Sequence, residues 1–379
     1  MTLLAPTKLF TPLEIGPITL KHRVVMSPLT RSRSVQPGDV PGDIMREYYK
    51  QRASDGGLIV SEATTISLSS RGWFGAPGMY SDEQVEGWKK VVGAVHAKGG
   101  RMFSQLWHTG RSSNTETSGV TPVTASVDPS YWENGADHLV SGPNGWVSPS
   151  PHRSLEISEI PGIVDDYRKA AVRAKAAGFD GVELHAGNGY LLDQFLQDGS
   201  NKRTDAYGGS IENRSRFLLE IVEAIVSVWG SDRVGVRVAP GGTWNSMSDS
   251  NPQALFAYVA EQLNGLGLAY LHIIEPRVKG NIVLVEGQAP VASEQLRKIF
   301  KGKLIAAGGF EPDTAEAIVA KGDADAVAFG RYFLSNPDLP KRIKLGVALN
   351  EYDRDTFYTF DARGYTDYPF YEEEGAALV

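Results

Sequence analysis

The chain has 379 residues, 41% of them hydrophobic, with a formal net charge of −7 and a pI near 5.6, so it suits either two medium domains or one α/β barrel with insertions. Lys and Arg form no concentrated stripe, which excludes the electrostatic footprint of a nucleic-acid or anionic-membrane partner and leaves a small molecule as the expected ligand. Cysteine is absent, which excludes disulfides, Cys-ligated zinc, iron–sulfur clusters and thiol catalysis, and a cytoplasmic protein is the plain expectation. Met1 to Phe10 carries no basic start or small-residue cleavage site, and no apolar run reaches the ~18 residues of a membrane span.

Thr11 to Leu20 alternates apolar and polar residues around Gly16-Pro17 and reads as a hairpin that caps or plugs another element. Eight short apolar or β-branched runs follow: Arg23 to Leu29, Leu58 to Ile66, Arg101 to Trp107, Gly181 to Ala186, Arg233 to Pro240, Ala269 to Glu275, Lys303 to Gly309 and Ala326 to Arg331. Helical patterns lie between them. Ser81 to Lys98 starts with a capping serine and closes at Gly99-Gly100, Pro161 to Ala177 closes at Gly178, Ser210 to Trp229 at Gly230, and Pro312 to Lys321 at Gly322. Eight strand-then-helix units without a second strand cluster predict a (β/α)8 TIM barrel, an α/β fold spanning residues 1–379 as a single domain. The competing doubly wound sheet would carry a Gly-x-Gly-x-x-Gly turn after an early strand, and none is present. The third and fourth runs start 80 residues apart, at Arg101 and Gly181. The Trp-, Ser- and Pro-rich segment 108–159 that fills this gap reads as a lid over the barrel mouth, and the aromatic tail from Glu351 to Tyr371 as further decoration.

In such barrels the chemistry sits where strands end. The runs end in Ser27-Pro28-Leu29-Thr30, in Glu62-Ala63-Thr64, in Gln105-Leu106-Trp107-His108, in His185-Ala186-Gly187-Asn188-Gly189-Tyr190 and in Arg237-Val238-Ala239-Pro240. The last two end in Gly308-Gly309 and Gly330-Arg331, which supply bare backbone N–H groups and a guanidinium fork for a phosphate. A plain turn would account for Gly308-Gly309 alone; the second glycine end with its arginine favours phosphate. Thr30, Ala63, Gln105 and Arg237 then mix donors and acceptors around the remaining mouth, which suits an organic phosphate-bearing cofactor. A metal site would need several His or carboxylate groups at neighbouring strand ends, and His108, His185, His272, Glu62 and Glu275 supply no such set; no metal is expected.

Several ordered stretches together carry a resemblance. They are Arg23–Arg31 (RVVMSPLTR), Gly75–Gly78 (GAPG), Gln105–Arg111 (QLWHTGR), Glu183–Leu196 (ELHAGNGYLLDQFL), Asn201–Arg214 (NKRTDAYGGSIENR), Phe329–Arg331 (FGR) and Gly364–Pro369 (GYTDYP). Over nearly its whole length the chain resembles the old yellow enzyme family of FMN-dependent ene-reductases, with the bacterial pentaerythritol tetranitrate, N-ethylmaleimide and glycerol trinitrate reductases as the nearest group. The resemblance implies FMN as cofactor, NADPH or NADH as reductant, and an electrophilic alkene or nitro compound as substrate, reduced in alternating half-reactions. It implies that Pro28, Leu29 and Thr30 line the isoalloxazine, with Thr30 near the reactive N5/C4 carbonyl side. Gln105 and the Ala63 backbone would meet the pyrimidine edge, Arg237 would stand by N1 and the C2 carbonyl, and Gly308, Gly309, Gly330 and Arg331 would hold the phosphate. His185 and Asn188 would clamp the acceptor oxygen beside the flavin, Tyr190 would give the proton to the α-carbon as an ordinary phenol of pKa ~10, and Trp73, Trp107 and Tyr358 would wall the substrate pocket. Trp73 stands where relatives more usually have tyrosine, Asn188 where many have a second histidine, and His22 where asparagine is common. A monomer or homodimer is expected. Two other readings stay open: an FMN barrel that dehydrogenates or oxidises another substrate class, and a non-catalytic flavin-binding barrel.

Overall fold

In the computed structural model, which describes residues 8–280, 282–284 and 292–372, eight parallel strands close on themselves. They are β1 (Val24–Met26), β2 (Leu58–Val60), β3 (Arg101–Trp107), β4 (Gly181–Ala186), β5 (Val234–Val238), β6 (Tyr270–Ile274), β7 (Leu304–Ala307) and β8 (Ala326–Phe329). Each pairs with its successor, and β8 pairs with β1, so the ladder has no free edge. The intervening helices are α1 (Asp43–Arg52), α2 (Asp82–His96), α3 (Ile160–Ala176), α4 (Ile211–Trp229), α5 (Pro252–Asn264), α6 (Ala292–Arg297) and α7 (Pro312–Lys321). The (β/α)8 barrel expected from the runs is the fold.

Strand alternation divides the interior into two compartments. Residues such as Ile59, Met102, Val182, Leu184, Val236 and Leu271 point outward and pack against the helices in one large apolar cluster. Their neighbours Val60, Phe103, Tyr270, Ile305 and Ala326 point inward and fill the barrel with a second cluster. The hairpin Leu13–Ile15/Ile18–Leu20 adds Leu13, Ile15, Ile18 and Leu20 to that inner cluster, so it plugs the end of the barrel where the strands begin. Two glycines make room for the inner rings. A Cβ on Gly181 would lie 2.4 Å from Phe103 Cζ, and one on Gly235 2.4 Å from Tyr270 Cε2.

The helix ends follow their capping residues. Ser81 accepts from the Gln84 N–H and Gln84 returns the contact, closing a capping box on α2; Ser210 accepts from Asn213 N at α4; Gly322 ends α7 in the left-handed region. The second run differs from expectation, because it breaks after Val60 and resumes only as Thr64–Thr65. Ser61 Oγ accepts the Gln105 N–H, and Glu62 leaves the ladder to accept from Arg31 N, Ser32 N and the Tyr49 hydroxyl. A carboxylate that satisfies three buried donors holds the strand end away from its neighbour.

Segment 108–159 has more local structure than expected. Val123–Thr124 pairs with Arg153–Ser154, two short helices cover Thr115–Ser118 and Pro129–Glu133, and Val140–Gly142 forms a hairpin with Gly145–Val147. Val140 and Val147 join Trp73, Trp107, Tyr190 and Tyr358 in an apolar cluster at the strand-end face. The C-terminal segment reaches the same face. Arg31 and Arg33, buried near β1, donate to the carbonyls of Phe357, Thr356, Gly364 and Asp361, while Arg31 and Arg33 also lie over the Tyr365 ring. What reads in the sequence as decoration is therefore bolted to the first strand.

Candidate active site

A cavity of about 740 Å³ opens at the C-terminal ends of the strands, a size usual for a small-molecule or cofactor site. Pro28, Leu29, Thr30, Ala63, Trp73, Gln105, His185, Asn188, Tyr190, Arg237, Gly308, Gly309, Gly330, Arg331 and Tyr358 all line it. Trp107 does not. It is fully buried and lies behind Tyr190, the two rings meeting edge to face with centroids 4.9 Å apart; it supports a wall rather than forming one. Residues without a signal in the sequence join the lining: Trp244 from the loop after β5, Arg277 and Val278 after β6, and Tyr352, Arg354 and Phe357 from the C-terminal segment.

The phosphate-like end is built from small residues on the last two strands. Ala307 and Ala328 leave the inner surface low, and Gly308 and Gly309 both take positive φ, of 106° and 67°. Arg277 Nε donates to the Gly308 carbonyl at 2.8 Å, which fixes that turn. Arg331 reaches toward Tyr352, donating to its hydroxyl at 3.3 Å. The opposite end carries Arg237, whose Nη2 donates to Ser27 Oγ at 3.4 Å while the buried Nε has no partner among the described residues. A buried guanidinium with an unused donor facing a cavity calls for an electronegative ligand edge.

The turn after β4 is held from several directions. Asn188 sits in the left-handed region at φ 57°, and the Asn245 side-chain amide donates to its carbonyl at 2.9 Å. Gly189 comes so close to Asn245 that a Cβ would lie 2.6 Å from the Asn245 Cβ. Asp193 accepts the Gly189 N–H at 2.8 Å, and Gln194 donates to the Gly189 carbonyl at 2.8 Å. These contacts explain why Asp193 and Gln194 follow the polar triplet in the chain. The Asn201–Arg214 stretch braces the next layer: Asn201 ties the Phe195 and Tyr207 carbonyls, and Arg214 pairs with Asp249 at 2.6 Å.

Burial sets the protonation states. Burial, then the neighbouring Arg237 and His272, hold the His185 imidazole well below its usual pKa, so it is neutral and carries one N–H donor; its Nδ1 has no partner among the described residues. Burial pushes the Tyr190 hydroxyl far above the ordinary phenol range, so the expectation of an untuned pKa near 10 is corrected: the proton is held more tightly. Asp193 is driven by burial up to about 7. A carboxyl whose folded pKa lies above its unfolded value contributes stability that is complete below about pH 4 and lost as pH rises through about 7. Asp193→Asn keeps one acceptor oxygen for Gly189 N and removes this titration, while the Gln197 amide that donates to the other oxygen turns to present its carbonyl to the new NH2. The variant is therefore expected to gain stability on the wild type between pH 4 and 8, by a few kcal/mol at ~1.4 kcal/mol per pKa unit; parallel melting-temperature curves against pH would rule this out.

A closed barrel whose strand ends bring left-handed glycines, a buried arginine with an unused donor and a polar turn to one cavity has the architecture of a small-molecule or cofactor enzyme. The chain belongs to the NADH:flavin oxidoreductase / NADH oxidase family, whose model matches residues 8–350. It is 47% identical over 379 residues to a putative 12-oxophytodienoate reductase 2 of Oryza sativa subsp. japonica, covering 97% of this chain and 96% of the other. It is 46% identical over 373 residues to 12-oxophytodienoate reductase 2 of Arabidopsis thaliana, covering 96% of each. Among solved structures, morphinone reductase superposes with a TM-score of 0.91 at 48% identity over 100% of both chains. The old yellow enzyme homologue from Zymomonas mobilis gives 0.89 at 42%, covering 96% of this chain and 99% of that one. The protein is an FMN-dependent NAD(P)H ene-reductase of the old yellow enzyme type. No described helix is long and apolar enough to cross a membrane.

Proposed function

We propose that the cavity residues divide the work of reducing an activated alkene between holding FMN, polarising the acceptor and protonating it. The observation that carries this division is that Arg237 Nε and His185 Nδ1, both buried without a partner among the described residues, border one cavity together with Asn188 and Tyr190. These residues fit FMN. Gly308, Gly309, Gly330 and Arg331 hold the phosphate through backbone N–H groups and one fixed cation; Gln105, the Ala63 backbone and Arg237 meet the pyrimidine edge; Pro28, Leu29 and Thr30 flank the ring. When bound, FMN would supply the redox chemistry, the exchange of hydride between NAD(P)H and the β-carbon of the acceptor.

His185 and Asn188 donate hydrogen bonds to the carbonyl or nitro oxygen of the acceptor. That oxygen gains negative charge as the β-carbon is reduced, so donors set in place beforehand favour the transition state over the ground state. Tyr190 holds a proton at its hydroxyl and releases it to the α-carbon; burial, which disfavours the phenolate, makes release to solvent unfavourable and couples it to the reaction. Trp73, Tyr358 and Phe357 give the acceptor an apolar wall, Trp107 fixes Tyr190 from behind, and segment 108–159 acts as the lid of a single domain. Substrates are small electrophiles such as α,β-unsaturated carbonyls, maleimides and nitroalkenes, with nitrate esters as a second class. The protein works in the cytoplasm as a monomer or homodimer, without nucleic acid or membrane partners, in keeping with its acidic balance and lack of cysteine.

Anaerobic mixing of the yellow protein with NADPH, followed by 2-cyclohexenone, tests the reading. Bleaching of the flavin band and its recovery on adding the enone are expected. Recovery only with oxygen would favour an oxidase, and no bleaching would leave a flavin-binding barrel.

A further inference from the structure

Four neighbouring strands each send one polar side chain into the barrel at the floor of the cavity: Gln105 from β3 and Arg237 from β5, which line it, and Glu183 from β4 and His272 from β6, which do not. Gln105 and Glu183 are register partners, as are Arg237 and His272. Gln105 Nε2 donates to Glu183 Oε1 at 2.7 Å, and Glu183 Oε2 lies 2.9 Å from His272 Nδ1, with Glu183 and His272 both 0% exposed. A buried ionic layer gives no stability advantage over apolar residues of the same volume. Its presence where the adjoining interior is Val60, Phe103 and Ile305 asks for another reason.

The chemistry of the carboxylate supplies one. Burial alone would raise the Glu183 pKa, but His272, Arg237 and the Gln105 hydrogen bond bring it below the ordinary range, so it is ionised. An ionised carboxylate only accepts. It compels the Gln105 amide to turn its NH2 downward and His272 to keep its proton on Nδ1. The Gln105 carbonyl is then left to the cavity, and none of the described residues donates to it.

We propose that Glu183 is a positioning residue that sets both the hydrogen-bond polarity and the redox character of the flavin site. Through Gln105 it presents an acceptor that selects the imide N–H of the isoalloxazine pyrimidine edge, and behind Arg237 it places a fixed negative charge that opposes electron gain by the ring. The inference rests on the reading that Gln105 and Arg237 face the FMN ring.

Two measurements test it. In Glu183→Gln holoenzyme, loss of the buried charge is expected to favour the reduced state of bound FMN at least tenfold, a rise of ~30 mV for a two-electron couple, read by spectroelectrochemical titration. In wild-type protein reconstituted with flavin, N3-methyl-FMN is expected to bind at least tenfold more weakly than FMN, which needs no variant to fold. An unchanged potential in Glu183→Gln, or equal affinity for the two flavins, overturns the proposal. Gln105→Leu separates the causes. If it weakens FMN binding while Glu183→Gln leaves the potential unchanged, the role of Glu183 alone fails; if it leaves FMN affinity unchanged, the placement of the ring fails and the inference with it.

Discussion

His185→Ala is expected to lower the rate at which pre-reduced enzyme turns over 2-cyclohexenone by 10²–10³, because an oxyanion-type donor is worth about 2.7–4 kcal/mol. The reason lies in the environment as much as in the imidazole. His185 is 4% exposed and its neutral state is enforced by burial and by Arg237, so the donor works where water cannot replace it. Asn188→Ala is expected to lose a similar amount and also to loosen the turn, since only a few residue types accept its φ of 57°. Single-turnover mixing of the pre-reduced protein with the enone isolates this step. A His185→Ala protein that reoxidises within threefold of the wild-type rate would remove histidine from the clamp.

Tyr190→Phe is expected to slow enone reduction by 10²–10⁴, the range for loss of a positioned general acid. Flavin bleaching by NADPH needs no proton at the α-carbon and is expected to keep close to its wild-type rate. Tyr190 is packed edge to face on Trp107 and at 5.0 Å from the His185 ring, and phenylalanine preserves both contacts. The split between half-reactions therefore reports the hydroxyl and not the packing. Nitroalkenes whose product anion is stabilised without protonation are expected to suffer less than enones, and equal losses on both would argue against a proton-donor role.

Much of this site was legible because strand ends in a barrel are marked twice in the chain, by an apolar run and by the glycine or polar residues that stop it. His185, Asn188, Arg237 and Gly308-Gly309 stand at such marks, and the hairpin and the caps Ser81 and Ser210 follow local rules of the same kind. Other features depended on distant partners. The break in the second strand is set by Glu62 meeting Arg31, Ser32 and Tyr49, none of which its own neighbours announce. Trp107 sits at a strand end like its companions, yet it is fully buried against the ring of Tyr190 and is not among the residues that line the cavity. Tyr352, Arg354 and Phe357 lie in a segment without periodicity and are held at the mouth by distant groups, Arg331 on the Tyr352 hydroxyl and Arg31 and Arg33 on the segment's carbonyls.

That last attachment has a consequence for the order of biosynthesis. The barrel can close once Ala326–Phe329 has left the ribosome and paired with Val24–Met26. Arg31 and Arg33 already find acceptors in the Tyr48 hydroxyl and the Arg31 carbonyl, but most of their acceptors arrive with Thr356 to Gly364. The guanidinium groups of Arg31 and Arg33 thus act as a latch between the first strand and the C-terminal segment, so the mouth that Tyr352, Arg354 and Phe357 line is complete only when the two have met.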